Sequence, residues 1–263
     1  MPVSLYASWF PPTIPLQPSE LASLASKAVA SASRKHRLLE VSFPPVPNLE
    51  EVDFGTPLNK RFSTRVASAL GARGGYRPGS LASRNQVSFA NLYWARQLAP
   101  ALRGSPLPFG GRAAVLNSGV RPGDVSKLPG SLELRPLRSA PPASPTPTIA
   151  VSPGPSGTWK QLSSYSGSKP FLVLNNAVND SYDLGNAAGF ETAFYLKRVS
   201  RGWAYRAYPG PWCAYLEKPD GSTELLKTYA GRPRLRELAK VVREESFKRY
   251  AAVGNDRWMN GRL

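Results

Sequence analysis

The sequence predicts an α/β fold: a wound, mostly parallel sheet, extended by a C-terminal antiparallel meander and closed by a terminal helix. Three observations carry this. Apolar runs at 38–43, 148–152 and 171–175 have the length and composition of buried parallel strands. Helical periodicity alternates with strand-like runs in the first hundred residues, the rhythm of a wound sheet. From Thr192 onward, four segments mixing aromatic, β-branched and polar residues are separated by turn chemistry, as half-buried neighbouring strands are.

In chain order, residues 1–18 form an N-terminal extension and 19–252 a single domain, followed by a tail at 253–263. The first helix spans 19–33, with Leu21, Leu24, Ala25, Ala28, Val29 and Ala32 on the 3.6 period and Ser19 as its N-cap. Arg34, Lys35, His36 and Arg37 end it against the negative pole of the helix dipole. The strand at 38–43 stops at Pro44, Pro45 and Pro47. Thr56 and Pro57 cap a second helix, with Leu58, Phe62, Val66, Ala69 and Leu70 on one face and Gly71 ending it. A Gly/Arg-rich loop at 71–84 leads to an expected strand at 86–89 and a third helix at 91–102.

The pattern then collapses. Residues 104–147 are rich in Pro, Gly, Ser and Arg, with only 113–116 and 131–134 resembling strand fragments. This reads as an extended basic insertion with no core of its own, ordered by a partner. After the strands at 148–152 and 171–175, the meander takes 192–199, 202–208, 212–218 and 223–229. Its turns fall at Ser200-Arg201-Gly202, Pro209-Gly210-Pro211 and Pro219-Asp220-Gly221. Arg232-Pro233 opens the closing helix, which runs to 252.

The formal charge is +17, from 34 Lys and Arg against 17 Asp and Glu. An anionic partner follows: nucleic acid, an anionic membrane surface or an acidic protein face. Between Lys60 and Arg138 stand 13 basic residues against Asp124 and Glu133, so one central region holds most of the excess. Arg112, Arg121, Lys127, Arg135 and Arg138, spaced along Pro-stiffened backbone, are the expected partner-binding residues, with Trp258 as an anchor in the tail. A second group, Arg73, Arg77, Arg84, Arg96 and Arg103 with Tyr76, Tyr93 and Trp94 interleaved, would suit phosphate contacts plus base stacking. Tyr93 and Trp94 fall in an expected helix, where packing is the commoner task.

Catalytic chemistry is scarce. No phosphate-cradling loop follows a strand, and one His and one Cys cannot build a metal site without several carboxylates. Glu50, Glu51 and Asp53 sit in a Pro-bounded, solvated loop, and no serine stands in a nucleophile elbow. Cys213 reads as a small packing residue and His36 as a solvated helix end. No cofactor or metal is expected. No run of ~18 apolar residues is present to span a membrane.

Phe194-Tyr195-Leu196, Gly202, Arg206-Ala207-Tyr208-Pro209-Gly210-Pro211-Trp212 and Arg232-Pro233 form a closing pattern; an Ala-rich helix, basic turn, strand and Phe-Pro exit form the opening. Together these resemble the chloroplast and cyanobacterial domain of unknown function 1995 family, whose relatives include a low-photosystem-II-accumulation assembly factor and the tail of a plastid adenylate kinase. The likeness covers both ends better than the middle. It implies that Arg206, Tyr208, Pro209, Gly210, Trp212, Arg232 and Pro233 form the family motif; from the residues themselves, a tight turn at 209–211 would set Trp212 against the sheet or the last helix as core rather than as a pigment or ligand contact. It also implies a non-catalytic chloroplast protein at the stromal face of the thylakoid, binding acidic surfaces of a photosystem complex as a peripheral subunit or assembly factor. A plastid transit segment is not expected within this stretch, nor is kinase activity, since the relative's kinase domain has no counterpart here. Organellar RNA or DNA binding through the Arg-rich region is the alternative.

Overall fold

A computed structural model describes residues 17–47, 56–102, 112–176 and 189–250. The elements are α1 (Pro18–Ser33), β1 (Leu38–Ser42), α2 (Pro57–Leu70), α3 (Leu81–Arg84), α4 (Gln86–Leu102), β2 (Ala113–Asn117), β3 (Leu132–Pro136), β4 (Thr148–Val151), α5 (Ser156–Ser163), β5 (Phe171–Leu174), β6 (Glu191–Val199), β7 (Gly202–Ala207), β8 (Trp212–Glu217), β9 (Thr223–Tyr229) and α6 (Leu235–Tyr250). All nine strands form one sheet in the order β3-β2-β4-β5-β1-β6-β7-β8-β9. From β3 to β6 every neighbouring pair is parallel; from β6 to β9 every pair is antiparallel. The expected parallel sheet, its antiparallel extension and its closing helix are all present.

Two-sided burial explains the sequence pattern. On the front face α1 and α4 lie against the sheet and α2 packs on α4, enclosing Leu39, Val41, Val115, Ile149, Val151, Leu172 and Leu174. On the back face α5 covers Ala114, Leu116, Ala150, Phe171 and Val173. Farther along that face, α6 covers Tyr195, Ala204, Trp212, Ala214 and Leu216. Strands buried on both sides cannot alternate, which is why β4, β5 and β2 are uniformly apolar or nearly so.

Local chemistry sets the boundaries. Thr56 Oγ1 accepts the Asn59 N–H at 3.0 Å, Pro57 opens α2, and Gly71 closes it in the left-handed region at φ 58°. The start of α1 differs from expectation: Pro18 is the first helical residue and the Gln17 N–H donates to Glu20 Oε2 at 3.0 Å. β4 and β5 are each followed by a left-handed residue, Ser152 and Asn175, and Ser152 Oγ donates to the Asn175 carbonyl at 2.7 Å. The Asn175 amide bridges the layers. It donates to Asn91 Oδ1 on α4 and accepts the Phe43 N–H, both at 2.8 Å.

Two expectations are corrected. Residues 86–89 are not a strand but the first turn of α4. Val-Ser-Phe is too short to distinguish the two periods, and no Gly or Pro separates it from the helix beyond. Gln86 Nε2 holds that turn on α2 by donating to Ser63 Oγ at 2.5 Å and the Asn59 carbonyl at 3.4 Å.

The second correction concerns 104–147. Its described part, 112–147, is no extended insertion: it supplies β2 and β3. β2 is wholly buried between β3 and β4. β3 is the edge strand, with Leu132 and Leu134 inward, Glu133 outward and Pro136 at its end. A five-residue strand paired on both sides satisfies its backbone through its neighbours. Prolines outside the ladder cost it nothing. Residues 1–16 of the N-terminal extension, Glu50, Glu51, Asp53, Arg103, residues 104–111 and the tail with Trp258 lie outside the described residues.

Gly202, at the start of β7, is required by close approach. A Cβ there would stand 2.0 Å from the Tyr215 carbonyl oxygen and 2.8 Å from Val242 Cγ1 of α6. Gly202→Ala is therefore expected to destabilise the fold by roughly 1–3 kcal/mol or more, through displacement of β8 and α6. Chemical denaturation of the variant against the parent measures this.

Candidate functional site

Arg206, Trp212 and Arg232 of the closing motif gather with Tyr195 on the back face. Tyr195 of β6 pairs with Arg206 of β7, and the β7–β8 ladder carries that row on to Trp212. Glu40, alone among the inner residues of β1, points the same way. Its Oε2 accepts from Arg232 Nη1 at 2.8 Å and from Thr192 Oγ1 at 3.1 Å. Arg206 Nη2 donates to Glu191 Oε1 at 2.5 Å. Both guanidiniums lie against the Trp212 ring, Arg206 at 5.5 Å and Arg232 at 5.4 Å; Arg206 also reaches Tyr208 at 6.0 Å, and Arg232 reaches Tyr195 at 5.4 Å.

Each motif residue has a structural task. Trp212 is 2% exposed and packs with Leu235, Leu238 and Val242 of α6, as a core residue does. Pro209 and Gly210 make the β7–β8 turn, where the Gly210 N–H donates to the Ala207 carbonyl at 2.7 Å. The Tyr208 N–H donates to the Ala193 carbonyl at 2.9 Å, and its ring meets His36 edge-on at 5.5 Å. His36 therefore packs rather than standing as a free helix end. Arg232 and Pro233 precede α6 instead of opening it; the first helical bond runs from the Leu238 N–H to the Arg234 carbonyl.

Burial governs the titratable groups here. It pushes the Tyr195 phenol up to about 12, with Arg232 opposing and Glu40 adding to the rise. It likewise pushes the Cys213 thiol up to about 12, so this cysteine is no nucleophile at neutral pH. Among the described residues, no group of three or more His, Cys, Asp or Glu could hold a metal ion, and no helix is long and apolar enough to cross a membrane.

The sequence profile of a family described as a domain of unknown function (DUF1995) matches residues 15–240. The chain belongs to this family. No curated protein and no solved structure matches it. The family match runs through the Glu40–Arg232 cluster and also through the middle of the chain, where the likeness read from the sequence is weakest.

The expected partner-binding residues are dispersed. Arg112, Arg121, Lys127 and Arg138 are exposed; Arg135 is half-buried, its Nε on Glu133 Oε1 at 2.6 Å. Arg112 precedes β2 and Arg138 follows β3, so they stand at opposite ends of that parallel pair. Arg121 and Lys127 are instead brought to Arg73. The 121–127 turn docks on the end of α2, with the Arg73 N–H on the Asp124 carbonyl at 2.9 Å and the Lys127 N–H on the Leu70 carbonyl at 3.0 Å. A bridge between Ala72 and Val125 completes the junction. Arg73, Arg77, Arg121 and Lys127 are all exposed there. No local signal in either segment announces this pairing.

The stacking group is divided by folding: Trp94 enters the core, Tyr76 and Tyr93 are half-buried, and Arg73, Arg77 and Arg84 are exposed. Trp94 is 2% exposed, packed on Phe43 and Phe62, with its Nε1 donating to the Pro45 carbonyl at 2.8 Å. Tyr93 also meets Phe62, and Arg96 Nη1 donates to the Ala69 carbonyl at 2.5 Å.

Breaking a buried ion pair strands a charge. Arg232→Ala is therefore expected to cost about 3–5 kcal/mol, and a Glu40→Gln/Arg232→Met double variant less than Arg232→Ala alone, measured by denaturant unfolding. Tyr195 and Cys213 are held neutral in the fold and ionise more readily when unfolded. Their contribution is complete below about pH 9 and is lost as pH rises toward 12. Thermal unfolding from pH 8 upward should show that decline, and Cys213 should resist alkylation at pH 8 until the protein is unfolded.

Proposed function

We propose that this chain is a non-catalytic chloroplast accessory protein that binds the stromal side of a thylakoid photosystem complex, as a peripheral subunit or assembly factor. One observation carries the reading: exposed basic residues from two separate segments, Arg73 with Arg121 and Lys127, are held on one hydrogen-bonded junction. Between Lys60 and Arg138 only Asp124 and Glu133 oppose the 13 cations, and Glu133 is spent on Arg135. A preformed cationic surface of this kind steers an acidic protein face toward it and holds it by charge. The compartment is what the likeness set out above implies. Organellar RNA or DNA is the second reading; the exposed arginines favour it, while the burial of Trp94 takes one stacking ring from it.

Deletion of 104–147 would remove β2 from the sheet interior, so charge reversal is the cleaner probe. Tagged protein should co-purify photosystem polypeptides, and an Arg73→Glu/Arg121→Glu/Lys127→Glu variant of unchanged stability should not. A salt wash at 1 M, where the Debye length falls to ~3 Å, should release the parent from membranes. Nuclease-sensitive RNA or DNA in place of photosystem polypeptides would sink the reading.

A further inference from the structure

Around Trp212 the cations outnumber the carboxylates. Glu40 is committed to Arg232 and Thr192, and Glu191 to Arg206. Lys197 is the remaining charge. Two residues beyond Tyr195 on β6, it projects from the same back face, opposite Ala204 of β7. Among the described residues no carboxylate pairs with Lys197. The Arg232 guanidinium lies over the ring of Tyr195, the neighbour of Lys197 on that face, at 5.4 Å, and burial, with that like charge adding to it, holds the ammonium below the ordinary lysine range. Arg206 Nε, on the same row as Tyr195, is buried without an acceptor. A lysine of this length could reach bulk water and escape its neighbour. Instead it is half-buried on the face that carries Arg206 and Arg232. Such an arrangement is unfavourable empty and favourable once an anion lies between the two cations.

We propose that Lys197 and Arg232, flanked by Arg206, form a binding site for an oxyanion, either a carboxylate or a phosphate group, on the back face between α5 and α6. Lys197 supplies a point charge, while Arg232 offers planar donors already oriented by Glu40 and Tyr195. The site is distinct from the Arg73–Arg121–Lys127 surface and does not depend on the partner assigned to it.

Thermal unfolding of the full chain, at fixed ionic strength, tests this with inorganic phosphate and with succinate, chloride serving as control. Phosphate, succinate or both should raise the transition temperature of the parent in a saturable way, and the stronger of the two identifies the group. Lys197→Met should unfold at a higher temperature than the parent without ligand, since a like-charge contact is relieved. It should also weaken the response about tenfold or more. Lys197→Arg should retain the response, which separates lost charge from lost packing. The proposal is overturned if neither anion shifts the parent, or if Lys197→Met responds as the parent does.

Discussion

A carboxylate in the middle of a sheet must be paired, and Glu40 is paired by a residue 192 positions away. β1 is the strand on which the parallel half meets β6, the first strand of the antiparallel half. Its Leu39 and Val41 serve the front core, while Glu40 faces back, beyond the α5 cluster and beside the α6 cluster. Arg232 fills that position from the segment leading into α6. One ion pair thus fastens the end of the domain to its centre. Neither charge could remain buried alone, so the pair forms only when β1, the meander and the entry to α6 are all in place.

The aromatic residues around the pair follow from the same constraint. Trp212, Tyr195 and Tyr208 provide faces for two guanidiniums. They also exclude water from the ion pairs, and attraction between the charges grows as the local dielectric falls. Small residues on neighbouring positions, Gly202, Ala204 and Ala214, let α6 approach closely enough to close the layer. The motif is therefore first a device for shutting the back face, with Lys197 the charge that this task leaves over.

The front of the molecule solves a different problem. β2 and β3 lengthen the parallel half from a segment whose composition argues against structure, and the turn between them carries Arg121 and Lys127 to the end of α2. Gly71 makes this possible twice over. Its left-handed backbone ends α2, and its lack of a side chain admits Ser126, whose Oγ would stand 2.3 Å from a Cβ there. Basic residues far apart in sequence become one surface because a buried strand fixes the turn that bears them.

The sequence by itself determined whatever depends on local chemistry. Helix caps, Pro and Gly stops, uniformly apolar parallel strands and the turn residues of the meander each act over a few positions, and from them the α/β class and the closing helix were legible. The role of Trp212 as core followed from the same pattern. Three things were decided only by the tertiary structure. Residues 86–89 became helix because they continue the α4 face packed on α2, α1 and the sheet. β2 became strand because β3 and β4 pair with it on both sides. Arg206 and Arg232 came together around Trp212, and Lys197 was set two residues along β6 from Tyr195, through pairings between strands and across the whole chain. Contacts at such separations leave no periodicity in the sequence. They depend on which apolar faces are buried against one another, and that is settled only once the chain has folded.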